Sequence, residues 1–177
     1  IFYLLNGDFN SLLNGTAYVD FHKYRTAAEE HLRKESNYSK EVSLDEIYNY
    51  IGTVFGLTAE QTAVIKKKEI ALEIQFAQVR KTGKELYGLA KHLGKRIIFV
   101  SDIYLDKDTV MAILNKLGYE PDEIYLSSDY LEQKATGRLY PIVLLNENLK
   151  GNQIVHIGDN WDSDITFAQK HGFRTHF

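Results

Sequence analysis

The sequence predicts an α/β fold, with a largely helical first half and a Rossmann-like parallel sheet in the second. In the second half, short β-branched runs alternate with helical patterns, and this alternation is typical of βαβ units with right-handed crossovers. In the first half, apolar residues recur mainly at helical spacing. The chain has 177 residues, 44% of them hydrophobic and 25% charged, so it is long and apolar enough to bury a sizeable core.

Helix-start signals divide the first half. Asp20 can cap a first helix, and two capping boxes that begin at Ser43 and Thr58 open a second and a third. The second helix is expected to end at Gly52, and Asn14-Gly15 marks a turn before the first. The predicted inward-facing residues of the first helix are Phe21, Tyr24, Ala28 and Leu32.

The second half contains short apolar runs that are typical of buried parallel strands. They cover residues 96–101, 123–127 and 154–157, with a short fourth strand at 174–177. Ligands of such sheets bind beyond the carboxyl ends of the strands. The polar residues that follow the first three strands should therefore share one rim; they are Ser101-Asp102, Ser127-Ser128 with Lys134, and Asp159, Asp162 and Asp164.

These rim residues are chemically suited to phosphoryl transfer. A hydroxyl group holds phosphoryl oxygens, an ammonium group offsets their charge, and carboxylates hold Mg²⁺. We predict that Ser101 and Lys134 bind phosphate and act in catalysis, with Asp102 as a further phosphate-binding candidate. Asp159 and Asp164 are the predicted metal ligands. Each residue also has a simpler interpretation, because loop aspartates often cap helices and loop lysines are usually solvated.

Composition excludes several other classes of function. The formal net charge of -3 gives no general attraction for nucleic acid. The absence of cysteine excludes disulfides, thiolate nucleophiles and zinc–thiolate sites, and is compatible with the cytoplasm, where we expect this protein. No apolar run approaches the roughly 20 residues that span a bilayer, so membrane insertion is not expected. Dinucleotide, P-loop and zinc-protease motifs are also absent from the sequence.

The rim residues resemble three motifs of the haloacid dehalogenase (HAD) superfamily. Ser101 in F-V-S-D-I-Y-L resembles the second motif, and Lys134 in Q-K-A-T-G-R-L-Y resembles the third. Asp159 and Asp164 in H-I-G-D-N-W-D-S-D resemble the fourth. The resemblance implies a Mg²⁺-dependent phosphohydrolase that acts on a small phosphorylated metabolite or sugar phosphate.

The resemblance also implies a division of the chain. Residues 1–81 would form a mostly helical, C1-type cap subdomain that closes over the site, its first residues belonging to the connection with the core. Residues 82–177 would form the HAD-like α/β core. The sequence is similar to HAD-like domains found alone or attached to bacterial glycosyltransferases. A non-catalytic regulatory or binding domain with a glycosyltransferase partner is therefore the alternative function.

The first motif of the family is missing from this pattern. It is an apolar strand that ends in two aspartates, the first acting as nucleophile and the second as general acid/base. The nearest candidate is Asp8, but Asn10 stands where the acid/base is expected, and an amide group neither gains nor loses a proton near neutral pH. We therefore expect the nucleophilic aspartate to lie before Ile1, outside this chain.

Overall fold

A computed structural model describes residues 1–13 and 17–177, so the turn predicted at Asn14-Gly15 lies outside the described residues. The first half is helical, as predicted. It contains a 3₁₀ turn at Phe2–Leu5 and four α-helices: α1 (Asn6–Leu12), α2 (Phe21–Glu35), α3 (Leu44–Phe55) and α4 (Ala59–Phe76).

The second half alternates helices and strands. Its elements are α5 (Lys81–His92), β1 (Ile98–Ser101), α6 (Lys107–Lys116), β2 (Glu123–Leu126), α7 (Ser127–Tyr130), α8 (Leu139–Glu147), a 3₁₀ turn (Gly151–Gln153), β3 (Val155–Ile157), a π-helical segment (Trp161–Phe167), α9 (Ala168–Lys170) and β4 (Arg174–His176). None of the described helices is both long enough and apolar enough to cross a membrane.

The predicted helix starts are present. The Asp20 carboxylate accepts a hydrogen bond from the backbone at the start of α2, and both capping boxes form, at Ser43 and at Thr58. The prediction that α3 ends at Gly52 is wrong, because the helix continues to Phe55. Gly52 instead permits close packing of α3 on α4, since a Cβ atom there would lie 2.8 Å from Thr62 Oγ1.

The inner face of α2 also differs from the prediction. Tyr24 is 45% exposed, whereas Arg25 is fully buried. The guanidinium group of Arg25 forms hydrogen bonds of 2.8 to 3.2 Å with the buried carboxylate of Glu69 on α4. The hydroxyl of Tyr48 donates to the same carboxylate. Hydrophobic periodicity could not predict this arrangement, because an arginine at an apolar position is buried only when a partner elsewhere in the chain offsets its charge.

The strands form two separate parallel pairs. In one, β1 pairs with β2 from Ile98↔Glu123 to Ser101↔Leu126, and in the other β3 pairs with β4 from Val155↔Arg174 to Ile157↔His176. Within residues 1–13 and 17–177, β1 and β3 do not pair with each other, so the expected single sheet is not complete. The strand that carries the family's first motif is expected outside this chain, and its place between β1 and β3 stays a prediction.

The hydrophobic core has two parts. The larger part joins helices α1 to α4 with Leu105, which follows β1 and is 1% exposed. The smaller part lies around Tyr125, Tyr140 and Phe173 in the α/β region. The larger part therefore extends past residue 81, the predicted end of the helical subdomain, and that boundary stays a prediction.

Candidate active site at the strand ends

Asp164 forms the centre of the candidate site. It lies in the π-helical segment Trp161–Phe167 and is 4% exposed. Its Oδ1 atom lies 2.6 Å from Lys134 Nζ and 3.2 Å from His156 Nε2. Its Oδ2 atom accepts a hydrogen bond of 3.1 Å from the backbone N–H of Asn160. The structure thus brings together two residues that the sequence predicted to share a site.

These contacts keep Asp164 ionised. Burial alone would favour the neutral acid, but hydrogen bonds from His156 and Lys134 outweigh that effect and hold the pKa of Asp164 well below its usual range. The site therefore contains a fixed negative charge beside the lysine, and this charge holds the ammonium group in place.

The loop sequence explains why Asp164 turns inward. The side chain of Asn160 caps the following segment by accepting hydrogen bonds from the backbone N–H groups of Asp162 and Ser163. Gly158 lies directly against the carboxyl group, since a Cβ atom at this position would lie 2.4 Å from Asp164 Cγ. Any larger residue at position 158 would displace the carboxylate.

Asp102 links the loops that follow β1 and β2. Its two carboxylate oxygens accept hydrogen bonds from the backbone N–H groups of Lys134, at 2.7 Å, and Ala135, at 3.0 Å. Ser101, the residue before it, ends β1 in register with Leu126. The predicted phosphate-binding residues Ser101, Asp102 and Lys134 are therefore adjacent, although their binding of phosphate stays a prediction.

The predicted metal ligands do not form a complete metal site. Asp159 is exposed and pairs with Arg80 at the start of α5, whereas Asp164 is buried. No group of three or more Asp, Glu, His or Cys side chains suited to a metal converges anywhere in the described ranges. Carboxylate oxygens at a phosphate site suit Mg²⁺, which often takes only one or two protein carboxylates. The donor chemistry fits, but the ligand set is incomplete.

Asp8 and Asn10 lie away from this site. Asp8 is on helix α1, not at the end of a strand, and pairs with Lys68 of α4. The amide group of Asn10 exchanges two hydrogen bonds of 2.8 Å with the backbone of Val19. Asn10 thus has a structural role in the helical region, and neither residue contributes to the cluster around Asp164.

Sequence reasoning missed part of the environment of Asp164. His156 lies on β3 and contacts the carboxylate directly. The hydroxyl of Tyr140 lies 3.4 Å from the same imidazole and donates to the carbonyl of Ser163 at 2.6 Å. The alternation within β3, where apolar neighbours flank His156, was the available signal. Trp161, the first residue of the π-helical segment, packs edge-on against Phe177.

One cavity of the described residues lies away from this site. It has a volume of about 450 Å³ and lies between α3 and α4, where its lining includes Asn49, Thr53 and Lys66. None of the predicted site residues lines it. We therefore locate the candidate site by the convergence of charged side chains at the strand ends, where parallel α/β folds bind their ligands.

Comparisons with solved structures identify the architecture. The structure of 2-haloacid dehalogenase from Pseudomonas syringae pv. Tomato DC3000 matches 97% of this chain and 73% of its own length, with a TM-score of 0.65 and 14% identity. The chain has a haloacid dehalogenase-like fold. The HAD-hydrolase YfnB from Bacillus subtilis, solved with bound magnesium, matches 98% of the chain and 81% of its own length, with a TM-score of 0.63 and 17% identity.

A third structure shows a shorter match. It is an uncharacterized protein from Listeria monocytogenes serotype 4b, 24% identical over 55% of this chain, with a TM-score of 0.50; the match covers 58% of that protein. No family model and no curated protein matches the chain. At these identities the comparisons establish the HAD-like fold, and the chemistry of the site has to be argued from the residues themselves.

Proposed function

We propose that this chain is part of a Mg²⁺-dependent phosphohydrolase that removes phosphate from a small phosphomonoester, such as a phosphorylated metabolite or sugar phosphate. The observation that carries the proposal is the pairing of Lys134 with Asp164 at the carboxyl ends of the strands. The ammonium group, whose side chain is only 13% exposed, would meet an anionic ligand beside the ends of β1 and β3. The HAD-like fold supports hydrolase chemistry at that position.

Four residues of this chain would have separate roles in phosphoryl transfer. The hydroxyl of Ser101 would donate to a phosphoryl oxygen, and the ammonium of Lys134 would offset charge as the phosphoryl group is transferred. Asp164 orients the lysine through its side chain, and Asp102 fixes the lysine backbone. Because both ends of Lys134 are held, its charge needs little rearrangement during the reaction.

The nucleophile is proposed to come from outside residues 1–177. An aspartate on a strand between β1 and β3 would attack phosphorus as the bond to the alcohol oxygen breaks, and the second aspartate of the family's first motif would protonate the departing oxygen to release the alcohol. Water would then cleave the aspartyl phosphate, releasing inorganic phosphate and restoring the carboxylate. Two findings support a missing strand: β1 and β3 do not pair among the described residues, and β3 exposes 60% of Val155 and 48% of Ile157.

Magnesium is the proposed cofactor. Asp159 would bind it, with Asp164 acting directly or through water, and the ion would supply charge neutralisation at the phosphate. The remaining ligands would have to come from the substrate, water and the proposed strand. The magnesium in the Bacillus subtilis neighbour is consistent with this assignment.

Activity of the full-length protein on p-nitrophenyl phosphate tests the proposal. Lys134→Ala should lower kcat/KM by about 100-fold, as expected when a preorganised charge is lost, and Ser101→Ala should lower it less. The matched control is Lys67→Ala, which removes an exposed lysine of α4. Mg²⁺ titration should show weaker binding by Asp159→Asn. Undiminished activity in Lys134→Ala would contradict the proposal.

The incomplete metal-ligand set is the observation in favour of the alternative, a non-catalytic binding domain. Its proposed glycosyltransferase partner rests on the sequence resemblance alone. Such a domain would bind phosphate through Lys134 without turnover. Saturable phosphate binding in a full-length protein that shows no Mg²⁺-dependent hydrolysis would favour this alternative over the enzyme.

A further inference from the structure

A fully buried carboxylate, Glu41, lies between the helical region and the α/β region. It belongs to the segment that joins α2 to α3 and is 0% exposed. Its Oε1 atom forms an ion pair with Arg33 Nη1 at 2.7 Å and accepts a hydrogen bond from the backbone N–H of Val42 at 2.9 Å. Its Oε2 atom accepts at 2.7 Å from the hydroxyl of Ser127, the residue that follows β2.

The Ser127 hydroxyl connects Glu41 to the loop after β1. Its single proton has two acceptors within reach, Glu41 Oε2 at 2.7 Å and the carbonyl of Ile103 at 3.4 Å, and the carboxylate is the shorter and stronger one. With its proton directed to Glu41, the hydroxyl oxygen accepts from the backbone N–H of Ile103 at 2.8 Å. Glu41 thereby fixes the backbone of Ile103.

Ile103 is the residue after Asp102, whose carboxylate holds the backbone of Lys134 and Ala135. A short series of hydrogen bonds and one peptide link therefore connects the helical region to the candidate phosphate site. The series runs from Glu41 through Ser127, Ile103 and Asp102 to Lys134.

A second set of contacts holds the same loop. The backbone N–H of Leu44 donates to the carbonyl of Tyr104 at 2.9 Å, and the hydroxyl of Tyr104 donates to Glu73 at 3.0 Å. Arg25 lies 4.7 Å from the centre of the Tyr104 ring. Leu105 packs in the core of the helical region. The loop after β1 is therefore packed as part of the helical region, although it belongs to the α/β region in sequence.

Apolar packing alone could join the two regions without burying a charge. Removing a carboxylate from water is costly unless it is paired, and a hydrogen-bonded charge accepts fewer alternative geometries than an apolar contact. A buried glutamate aimed at Ser127 therefore favours one position of the loop. This specificity is useful where the adjacent residues must meet a ligand with fixed geometry.

We propose that Glu41 is a positioning residue, which acts through Ser127 and Ile103 to hold Asp102 and the end of β1 at Ser101 in place for phosphate binding. Its effect on catalysis rests on the proposed function, whereas its effect on the loop does not. The helical region would accordingly fix the geometry of the site through its contacts with the loop after β1, in addition to any part it takes in covering the substrate.

Amide hydrogen exchange in the full-length protein tests the effect on the loop. Ser127→Ala removes the acceptor of the Ile103 N–H and should accelerate exchange at Ile103 by about tenfold relative to the other slow amides, which corresponds to about 1.4 kcal/mol. Glu41→Gln should have a smaller effect in the same place, because its amide oxygen still accepts. Tyr48→Phe is the matched control, since it removes a buried hydrogen bond that lies wholly within the helical region.

The pattern of exchange decides the proposal. Selective acceleration at Ile103 in Ser127→Ala and Glu41→Gln, but not in Tyr48→Phe, supports it. Uniform acceleration of all amides in the three variants overturns it, because that result assigns Glu41 a general role in stability. Unchanged exchange at Ile103 also overturns it, because Glu41 and Ser127 then do not hold the loop. Exchange is measured without substrate, so this outcome is independent of whether the protein proves to be a phosphatase.

Turnover then tests the link to catalysis. If the wild type hydrolyses p-nitrophenyl phosphate, Ser127→Ala should lower kcat/KM by about tenfold, in proportion to the loosened loop, while Tyr48→Phe leaves it within about twofold. Equal losses in the two variants overturn the positioning role. A wild type without turnover removes the proposed function but leaves the exchange result as the test of the loop.

Discussion

Lys134 and Asp164 form an ion pair of 2.6 Å in which the side chains are only 13% and 5% exposed. Such a pair is rigid, because the low exposure limits screening by water and salt. It also makes each partner dependent on the other, since an unpaired charge in the same place would be poorly solvated. The two predicted metal ligands therefore differ in kind, Asp164 being buried and paired while Asp159 is exposed.

Stability measurements should separate these two aspartates. Asp164→Asn leaves the Lys134 ammonium without its carboxylate partner, and we expect the free energy of unfolding to fall by about 3 kcal/mol. Asp159→Asn breaks only an exposed pair with Arg80 and should change it by less than about 1 kcal/mol. Urea unfolding of the full-length protein in the presence of EDTA provides the comparison. Equal losses in both variants would mean that Asp164 is more solvated than the structure shows.

Gly52 should resist substitution in spite of lying within a helix. Alanine normally stabilises a helix interior relative to glycine, by up to about 1 kcal/mol. At Gly52 the new Cβ atom would lie 2.8 Å from Thr62 Oγ1, which is itself bonded to the carbonyl of Thr58. We expect Gly52→Ala to lower the thermal midpoint because α3 and α4 must move apart.

Gly88→Ala in α5 is the matched control. A Cβ atom there meets nothing within 4 Å, so the same substitution should raise the midpoint. A stabilising Gly52→Ala would show that Thr62 rotates away at little cost, and that the contact between α3 and α4 does not require glycine.

Local signals in the sequence were sufficient to predict much of the fold. Capping boxes at Ser43 and Thr58 depend on residues three apart, and the start of each helix followed from them. The alternation of helix and strand predicted parallel pairing, which both strand pairs show. The end of α3 was wrong because glycine both stops helices and permits close packing, and only the position of Thr62 distinguishes the two uses.

Contacts between distant residues could not be predicted. Arg25 is buried because Glu69, 44 residues later, supplies its counter-charge. The sequence around Arg25 contains no signal that predicts this partner. Similarly, the rule that ligands bind beyond the carboxyl ends of parallel strands predicted that Lys134 and Asp164 share one edge of the sheet. It could not show that His156 also contacts the Asp164 carboxylate. A pattern identifies the edge on which a residue lies, whereas side-chain partners depend on the packing of the whole chain.

Glu147 should make stability depend on pH in the acid range. It accepts hydrogen bonds from Arg96 at 2.6 and 3.1 Å and from the Tyr125 hydroxyl at 2.8 Å, and the bond from Arg96 is the main cause that holds the pKa of Glu147 below its usual value. A carboxyl group with a lowered pKa in the folded state stabilises the fold above the unfolded pKa, and this contribution is lost as pH falls.

The expected result is a free energy of unfolding that declines below about pH 4.3, the pKa of an unperturbed glutamate. Glu147→Gln should be less stable than wild type at pH 7, and the difference should shrink as the pH falls below the unperturbed glutamate pKa. Glu85→Gln on the exposed face of α5 is the control, where no comparable change is expected. Denaturation at a series of pH values measures both, and a difference that is constant across pH would contradict the assignment.

The gap between β1 and β3 leads to the last prediction, that residues 1–177 alone are weakly stable and catalytically inactive. An open strand edge leaves a row of backbone N–H and C=O groups unpaired, and each such group costs about 1 to 3 kcal/mol where it is shielded from water. Several of them approach the stability of a whole domain, which is about 5 to 15 kcal/mol. The apolar side chains exposed on β3 and α5 add to the tendency to self-associate.

Comparison with the full-length protein tests this prediction. We expect the shorter chain to unfold at lower urea concentration, to self-associate in sedimentation experiments and to show no hydrolysis of p-nitrophenyl phosphate. Asp8→Asn in the full-length protein should retain activity, because Asp8 lies on α1 and pairs with Lys68. If residues 1–177 alone were fully active and Asp8→Asn abolished that activity, the nucleophile would be Asp8, and α1 would have to rearrange to bring it to Lys134.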